Sequence, residues 1–138
     1  MKNELSIKDK LLLIKDLSAR LPYAVTVEHT SGFRGTLHNI TVHHMYDDND
    51  NVYDAICYTD FFGDNDDIYI EFFKPYLFPM LSMTEEQREN FYHNRAQFDG
   101  NFWATQVGDT MWLYKHHFDC MGLIEKGLAL DATGLNIY

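Results

Sequence analysis

The amino-acid sequence predicts an α+β fold: an N-terminal helix, a four-stranded antiparallel sheet curled like a small SH3-type barrel, and a helical C-terminal half. Three observations carry that expectation. Apolar residues recur at helical spacing near the start, the period changes to two between residues 24 and 72, and helix-capping signals return after residue 84. At 138 residues the chain has the length of one domain, since domains cluster around ~100–150 residues. The expected divisions are 1–22 for the helix, 23–74 for the sheet, and 75–138 for a connector and the later helices.

Ser6 reads as an N-cap with Asp9 three residues on, the spacing of a capping box. Ile7, Leu11, Ile14, Leu17 and Leu21 then form an apolar stripe, with Lys8, Lys10, Lys15 and Asp16 assigned to the solvent side. Pro22 ends the helix, because proline disfavours the α conformation at the residue before it. Val25 and Val27 alternate with Thr26 and Glu28 as a first strand, and Ser31 to Gly35 supply a turn. A second strand runs from Thr36 to Tyr46 and a third from Val52 to Thr59. In the fourth, Ile68, Ile70 and Phe72 alternate with Tyr69 and Glu71. Lys74-Pro75-Tyr76-Leu77-Phe78-Pro79 is expected as a stiff apolar connector outside any central strand, since each proline removes a ladder donor. Thr84-Glu85-Glu86-Gln87 opens a helix reaching Gln97. Asp109 or Thr110 is expected to cap a third helix through Phe118, Leu123 to Lys126 to add one turn, and the tail from Asp131 to be extended.

The formal charge is −10, from 11 basic and 21 acidic side chains. It is unevenly placed: residues 1–46 carry +2, residues 47–99 carry −10 and residues 100–138 carry −2. An acidic middle third disfavours direct nucleic-acid binding, whose affinity comes largely from Lys and Arg displacing counterions. A hydrophobic fraction of 46% argues against disorder. The longest apolar run, Leu11 to Ile14, is far shorter than a membrane span, which needs ~20 residues. Met1-Lys2-Asn3-Glu4 lacks the basic-then-apolar order of a secretory signal. The expectation is a protein of the cytoplasm that makes no membrane contact.

No metal or cofactor is expected. Cys57 and Cys120 have no CxxC spacing, and the seven histidines show neither HExxH nor an i, i+4 pair. His43 and His44 fall on opposite faces of a strand, and His116 and His117 lie ~100° apart on a helix. Asp47-Asp48-Asn49-Asp50-Asn51 begins like a calcium loop, but Val52 replaces the required glycine and Tyr58 the closing glutamate. Cys120 with His116 at i, i+4 is a conceivable thiolate–imidazole pair if the helix extends that far. P-loop, GxSxG and GxGxxG signatures are absent. A metal-dependent or cysteine enzyme using the histidines is therefore the alternative to the leading reading, a non-enzymatic binding protein.

Three segments together resemble a known group: Arg20-Leu21-Pro22-Tyr23, the run from Lys74 to Glu86, and Gly122-Leu123-Ile124-Glu125-Lys126-Gly127-Leu128-Ala129. They are similar to a family of small uncharacterised proteins carried by bacteriophages, prophages and mobile elements of Bacteroidales-type gut bacteria. The likeness covers most of the chain, least in the acidic loops and residues 99–110, and Met121 stands where the pattern leads to a basic residue. The resemblance implies a phage or mobile-element accessory protein acting in a bacterial cytoplasm, and it assigns no catalytic residue.

In that setting the acidic segments suggest contact with a positively charged groove, as a phosphate backbone would make it: an inhibitor or nucleic-acid mimic acting on a host or phage protein. The expected partner-binding residues are Asp47, Asp48, Asp50, Asp64, Asp66 and Asp67, with Phe102 and Trp103 as aromatic anchors. Self-association through the same aromatics is the other outcome.

Overall fold

The computed structural model describes residues 5–46, 51–59, 68–98 and 100–138, with strand residues 42–46, 51–59 and 68 described by backbone alone. The first helix, α1 (Ile7–Arg20), starts at Ser6, whose Oγ accepts the Asp9 N–H at 3.1 Å. Its buried face is Leu13, Ile14 and Leu17, while Ile7 at the start of the expected stripe stays exposed. Asp16, expected on the solvent side, is buried, and its carboxylate meets Arg20 one turn later. Pro22 lies in a 3-10 turn (Leu21–Tyr23), and Ala24 takes a left-handed φ of 55° to turn the chain into the sheet.

The strands are β1 (Thr26–His29), β2 (Arg34–Tyr46), β3 (Asn51–Thr59), β4 (Ile68–Tyr69), β5 (Phe73–Leu77) and β6 (Leu130–Asp131). Their order is β4-β3-β2-β1-β5-β6, so four strands of four or more residues carry the sheet and β4 and β6 contribute two residues each. The meander from β1 to β4 is antiparallel, but β6 runs parallel to β5 and makes the sheet mixed.

The expected SH3-type barrel is corrected: among the described residues no ladder joins β4 to β5, and the sheet is not closed. One edge of β5 pairs with β1; on the other, β6 takes Tyr76 and Leu77, and Pro75 lacks the N–H that a ladder to β4 would need. The sheet nevertheless curls. In a flat sheet β4 and β5 would stand ~19 Å apart, four strand spacings, yet only the 3-10 turn Ile70–Phe72 joins them, and such a turn advances ~2 Å per residue. The register shift between Leu37 and Asn39 on β2 is a bulge of the kind that bends a strand.

The sheet also overruns its expected boundary at residue 74, because Lys74-Pro75-Tyr76-Leu77 belongs to β5 rather than to a connector. Pro75 is tolerated because β6 pairs only from Tyr76 onward, so its missing N–H has no partner strand to fail on that side. The fourth strand is shorter than expected, since the chain leaves the ladder at Ile70 into the 3-10 turn.

Two helices follow. Thr84 caps α2 (Glu85–Ala96) with both halves of the capping box formed. The third, α3 (Phe102–Lys115), begins seven residues before the expected cap. Asn101 supplies the cap by accepting the Ala104 N–H at 3.0 Å, and Asp109 sits inside the helix, bound to Arg95 of α2 at 2.9 Å. Gly108 allows α2 and α3 to close, since a Cβ there would stand 2.5 Å from the Phe98 ring.

The α1 face, the inner side of the sheet and the segment Leu123–Ala129 form one apolar core, with Leu17, Val27, Phe73 and Leu123 fully enclosed. Trp112, Leu113 and Phe118 seal a second cluster beneath α2. Residues 123–127 form a turn rather than helix, held by Asp119, whose two carboxylate oxygens accept the Leu123 and Ile124 N–H groups at 2.7 and 2.9 Å. The tail folds back: the Tyr138 hydroxyl donates to the Tyr76 carbonyl and accepts the Thr26 N–H.

Candidate interaction surface

The α3 helix is apolar on two sides, and the core can cover only one of them. Trp112 and Leu113 face inward, whereas Phe102, Trp103, Val107 and Met111 remain 65%, 77%, 60% and 52% exposed. Trp103, Val107 and Met111 follow at i, i+4 and i+8, so they lie in one line along the helix over ~12 Å. Phe102 packs edge-on against Trp103 with ring centroids 5.2 Å apart, which widens the line at its N-terminal end. Single exposed apolar side chains need no explanation; a contiguous patch of aromatic and aliphatic groups marks a contact surface.

Beside this line a cavity of ≈ 360 Å³ opens between the end of α1 and α3. Ala19 and Tyr23 form one wall and Gln106, Val107, Thr110, Met111 and Tyr114 the other. None of these side chains is charged at neutral pH. Tyr114 holds its proton firmly, since burial pushes its phenol up to about 12. The Arg20 guanidinium lies over the Tyr114 ring, 4.7 Å from its centroid. Arg20 and Asp16 are fully enclosed and joined at 2.7 and 3.1 Å, and Arg20 also donates to the Phe118 carbonyl at 2.7 Å. The end of α1 is thereby fastened to the chain emerging from α3, which sets the width of the groove.

Of the partner-binding residues expected from sequence, Phe102 and Trp103 lie on this surface. Asp47, Asp48, Asp50, Asp64, Asp66 and Asp67 lie outside the described residues; the β2–β3 ladder ends at the pair Tyr46 and Asn51. Val107, Met111 and Tyr23 were not expected here, although the spacing 103, 107, 111 is visible in the sequence. With the third helix expected to start at Asp109 or Thr110, that spacing carried no meaning.

Chemistry of other kinds finds little support among the described residues. No three His, Cys, Asp or Glu side chains come together there as a metal site would require. The neighbours His116 and His117 part company: His116 packs on Trp112 at 4.2 Å and His117 stacks on Tyr138 at 3.5 Å. Helix α3 stops at Lys115, so the i, i+4 helical pairing of His116 with Cys120 does not form, and burial raises the Cys120 thiol. Ser31 Oγ stands 2.7 Å from His29 Nδ1, which resembles a nucleophile beside a base. That nitrogen already accepts the Ser31 backbone N–H at 3.1 Å, so the contact is a local turn whose imidazole lone pair is engaged.

His117 gives this region a pH response. It adopts a left-handed φ of 63°, its Nδ1 is buried without a hydrogen-bond partner among the described residues, and its carbonyl accepts the Phe78 N–H at 2.8 Å. Burial first, and then the charges of Arg20 and His116, push its pKa from 6.5 down to about 4. The unfolded chain therefore binds a proton in this window that the folded chain refuses. The contribution of His117 to stability is full well above pH 6.5 and is lost as the pH falls toward 4. His117→Phe keeps the ring and removes the proton site, so chemical denaturation midpoints between pH 7 and 4.5 should fall less steeply in this variant than in the natural protein. Parallel slopes would show that His117 is not the responding group.

Comparison of the chain with protein-family models, curated proteins and solved structures returned no match.

Proposed function

We propose that the protein is a non-enzymatic interaction protein whose contact face is the uncharged line on α3 and its groove, acting as an accessory of phage or mobile-element origin in a bacterial cytoplasm. The observation that carries this reading is the run Trp103, Val107 and Met111, exposed at helical spacing beside a ≈ 360 Å³ groove. Groups of this type, in this arrangement, release free energy when a partner covers them, at about 25 cal/mol per Å² of apolar surface. The acidic stretch between residues 47 and 67 adds a long-range field that attracts a basic partner and repels nucleic acid. In this reading the field governs how fast and in what orientation a host or phage protein arrives, and inhibition follows from occupying its nucleic-acid groove.

A photoreactive amino acid placed at Val107, with a second placed at Glu89 on α2 as control, tests the contact face in cell extract. Adducts to any protein, a second copy included, are expected from position 107 and not from position 89. Equal labelling from both, or none from either, removes the reading. For a basic host or phage protein identified in this way, as distinct from a second copy, Asp→Asn replacement at positions 47, 48, 50, 64, 66 and 67 should lower the association rate by on the order of 10-fold at low salt, with little effect at high salt. An unchanged rate would dismiss the mimicry.

A further inference from the structure

We infer that the occupant of the α3 face is a second copy of this chain, packed antiparallel about a two-fold axis that passes Val107. The inference rests on α3 being the contact face and adds the identity of what covers it. An isologous interface must be complementary to itself, so a projecting group on one side of the axis needs a recess at the matching distance on the other. The face meets that condition. Trp103 projects four residues before Val107, and Met111, with the groove beside it, lies four residues after. Rotation about an axis at Val107 places each Trp103 against the partner's Met111, a sulfur–aromatic contact made twice. Gln106 and Thr110, uncharged groups in the groove wall, bring acceptors for the indole N–H, which requires one when buried.

Charge points the same way. The chain carries −10, so two copies approach at a disadvantage unless they meet where neither is charged. From Phe102 to Met111 the helix bears one charged side chain, Asp109, and Arg95 already neutralises it at 2.9 Å. The area also suffices. The exposed parts of Phe102 and Trp103 alone come to roughly 300 Å², given ~150–250 Å² per aromatic side chain. With Val107, Met111 and the groove wall, each copy contributes roughly 500 Å², and a pair removes on the order of 1,000 Å², the lower limit for a specific interface. This predicts a dimer of moderate strength that presents two acidic segments at once.

The test is sedimentation equilibrium of the full chain together with cysteine crosslinking. Facing helices pack ~8–10 Å apart, which brings the Cα atoms of a residue on the axis within the ~4.4–6.8 Å of a disulfide. Val107→Cys should therefore form an intermolecular disulfide under mild oxidation, and Glu89→Cys should not. Met111→Cys should crosslink to Trp103→Cys when the two variants are mixed, and not to itself. Val107→Glu should weaken the dimer by on the order of 100-fold, because it buries two carboxylates face to face, with its far-UV circular dichroism unchanged. Added salt should tighten the dimer by screening like charges, the reverse of its effect on capture of a basic partner. A monomer at all concentrations, with position 107 still labelling another protein in extract, overturns the second copy and leaves the contact face standing. A dimer that Val107→Glu does not weaken meets on another face and overturns the second copy here, and if position 107 also labels nothing in extract the contact face falls with it.

Discussion

Replacing Arg20 with alanine is expected to destabilise the protein by about 3–5 kcal/mol, the cost of leaving a buried ion-pair partner uncompensated. Asp16 and Arg20 are fully enclosed, and Arg20 is bonded to both carboxylate oxygens and to the Phe118 carbonyl. One of its nitrogens, Nη1, is buried without an acceptor among the described residues, and the guanidinium is partly compensated by the Tyr114 ring, whose centroid lies 4.7 Å from its central carbon. Burial already pushes the Asp16 carboxyl above 3.8, against the pull of Arg20. Without the guanidinium the carboxyl rises further and binds a proton more readily in the folded chain. Both chains keep His117 and its loss on acidification, but proton uptake by Asp16 offsets more of that loss in the variant, so the difference between them should narrow as the pH is lowered. Urea denaturation at pH 7 and pH 5 measures both effects. The pair Asp16→Leu with Arg20→Met should recover most of the loss, because well-packed apolar groups replace a buried ion pair at little cost. If Arg20→Ala costs less than about 1 kcal/mol, water reaches the pair in solution and the fastening of α1 to the α3 exit is looser than described.

Phe118→Ala should cost a similar amount, about 3–5 kcal/mol, through the cavity it opens. Phe118 is buried where sheet, α1 and α3 meet. It stacks on Trp112 at 5.9 Å with ring planes 8° apart, touches Phe78 at 6.1 Å, and bridges to Phe78 as a single parallel pair. Its carbonyl is also the acceptor for Arg20. Loss of its ring should loosen the second core cluster and weaken the packing beside the Trp103 groove. Phe102→Ala is the matching control: the ring is exposed, so monomer stability should stay within ~0.5 kcal/mol. Calorimetry on the two variants separates them, and equal destabilisation would contradict the burial pattern.

The groove and the two predictions depend on the same few residues, and they differ in how visible they were beforehand. Phe102 and Trp103 stood out by composition alone. Asp16 did not, because the helical stripe places it with Lys15 and Lys10 on the wet side. Its i, i+4 spacing to Arg20 was the available signal, yet many such pairs lie in solvent. Val107 and Met111 were masked by a misplaced cap, since Asp109 and Thr110 resemble an N-terminus more than the interior of a helix does. Asp109 stays inside α3 because Arg95 of α2 holds its carboxylate.

By itself the sequence determined the features that short stretches of chain decide: the Ser6 and Thr84 caps, the helix stop near Pro22, the change of period from helix to strand, and the concentration of negative charge in the middle third. These depend on bonds between residues three or four apart and on side-chain alternation along one segment. Tertiary structure alone decided that β5 would accept Pro75, that residues 130–131 would return as a parallel strand, that the curled sheet would stay open, and that one side of α3 would remain uncovered. Each of these turns on which distant segment arrives at an edge or a face, and a strand edge or an apolar helix face carries no local mark of what will meet it.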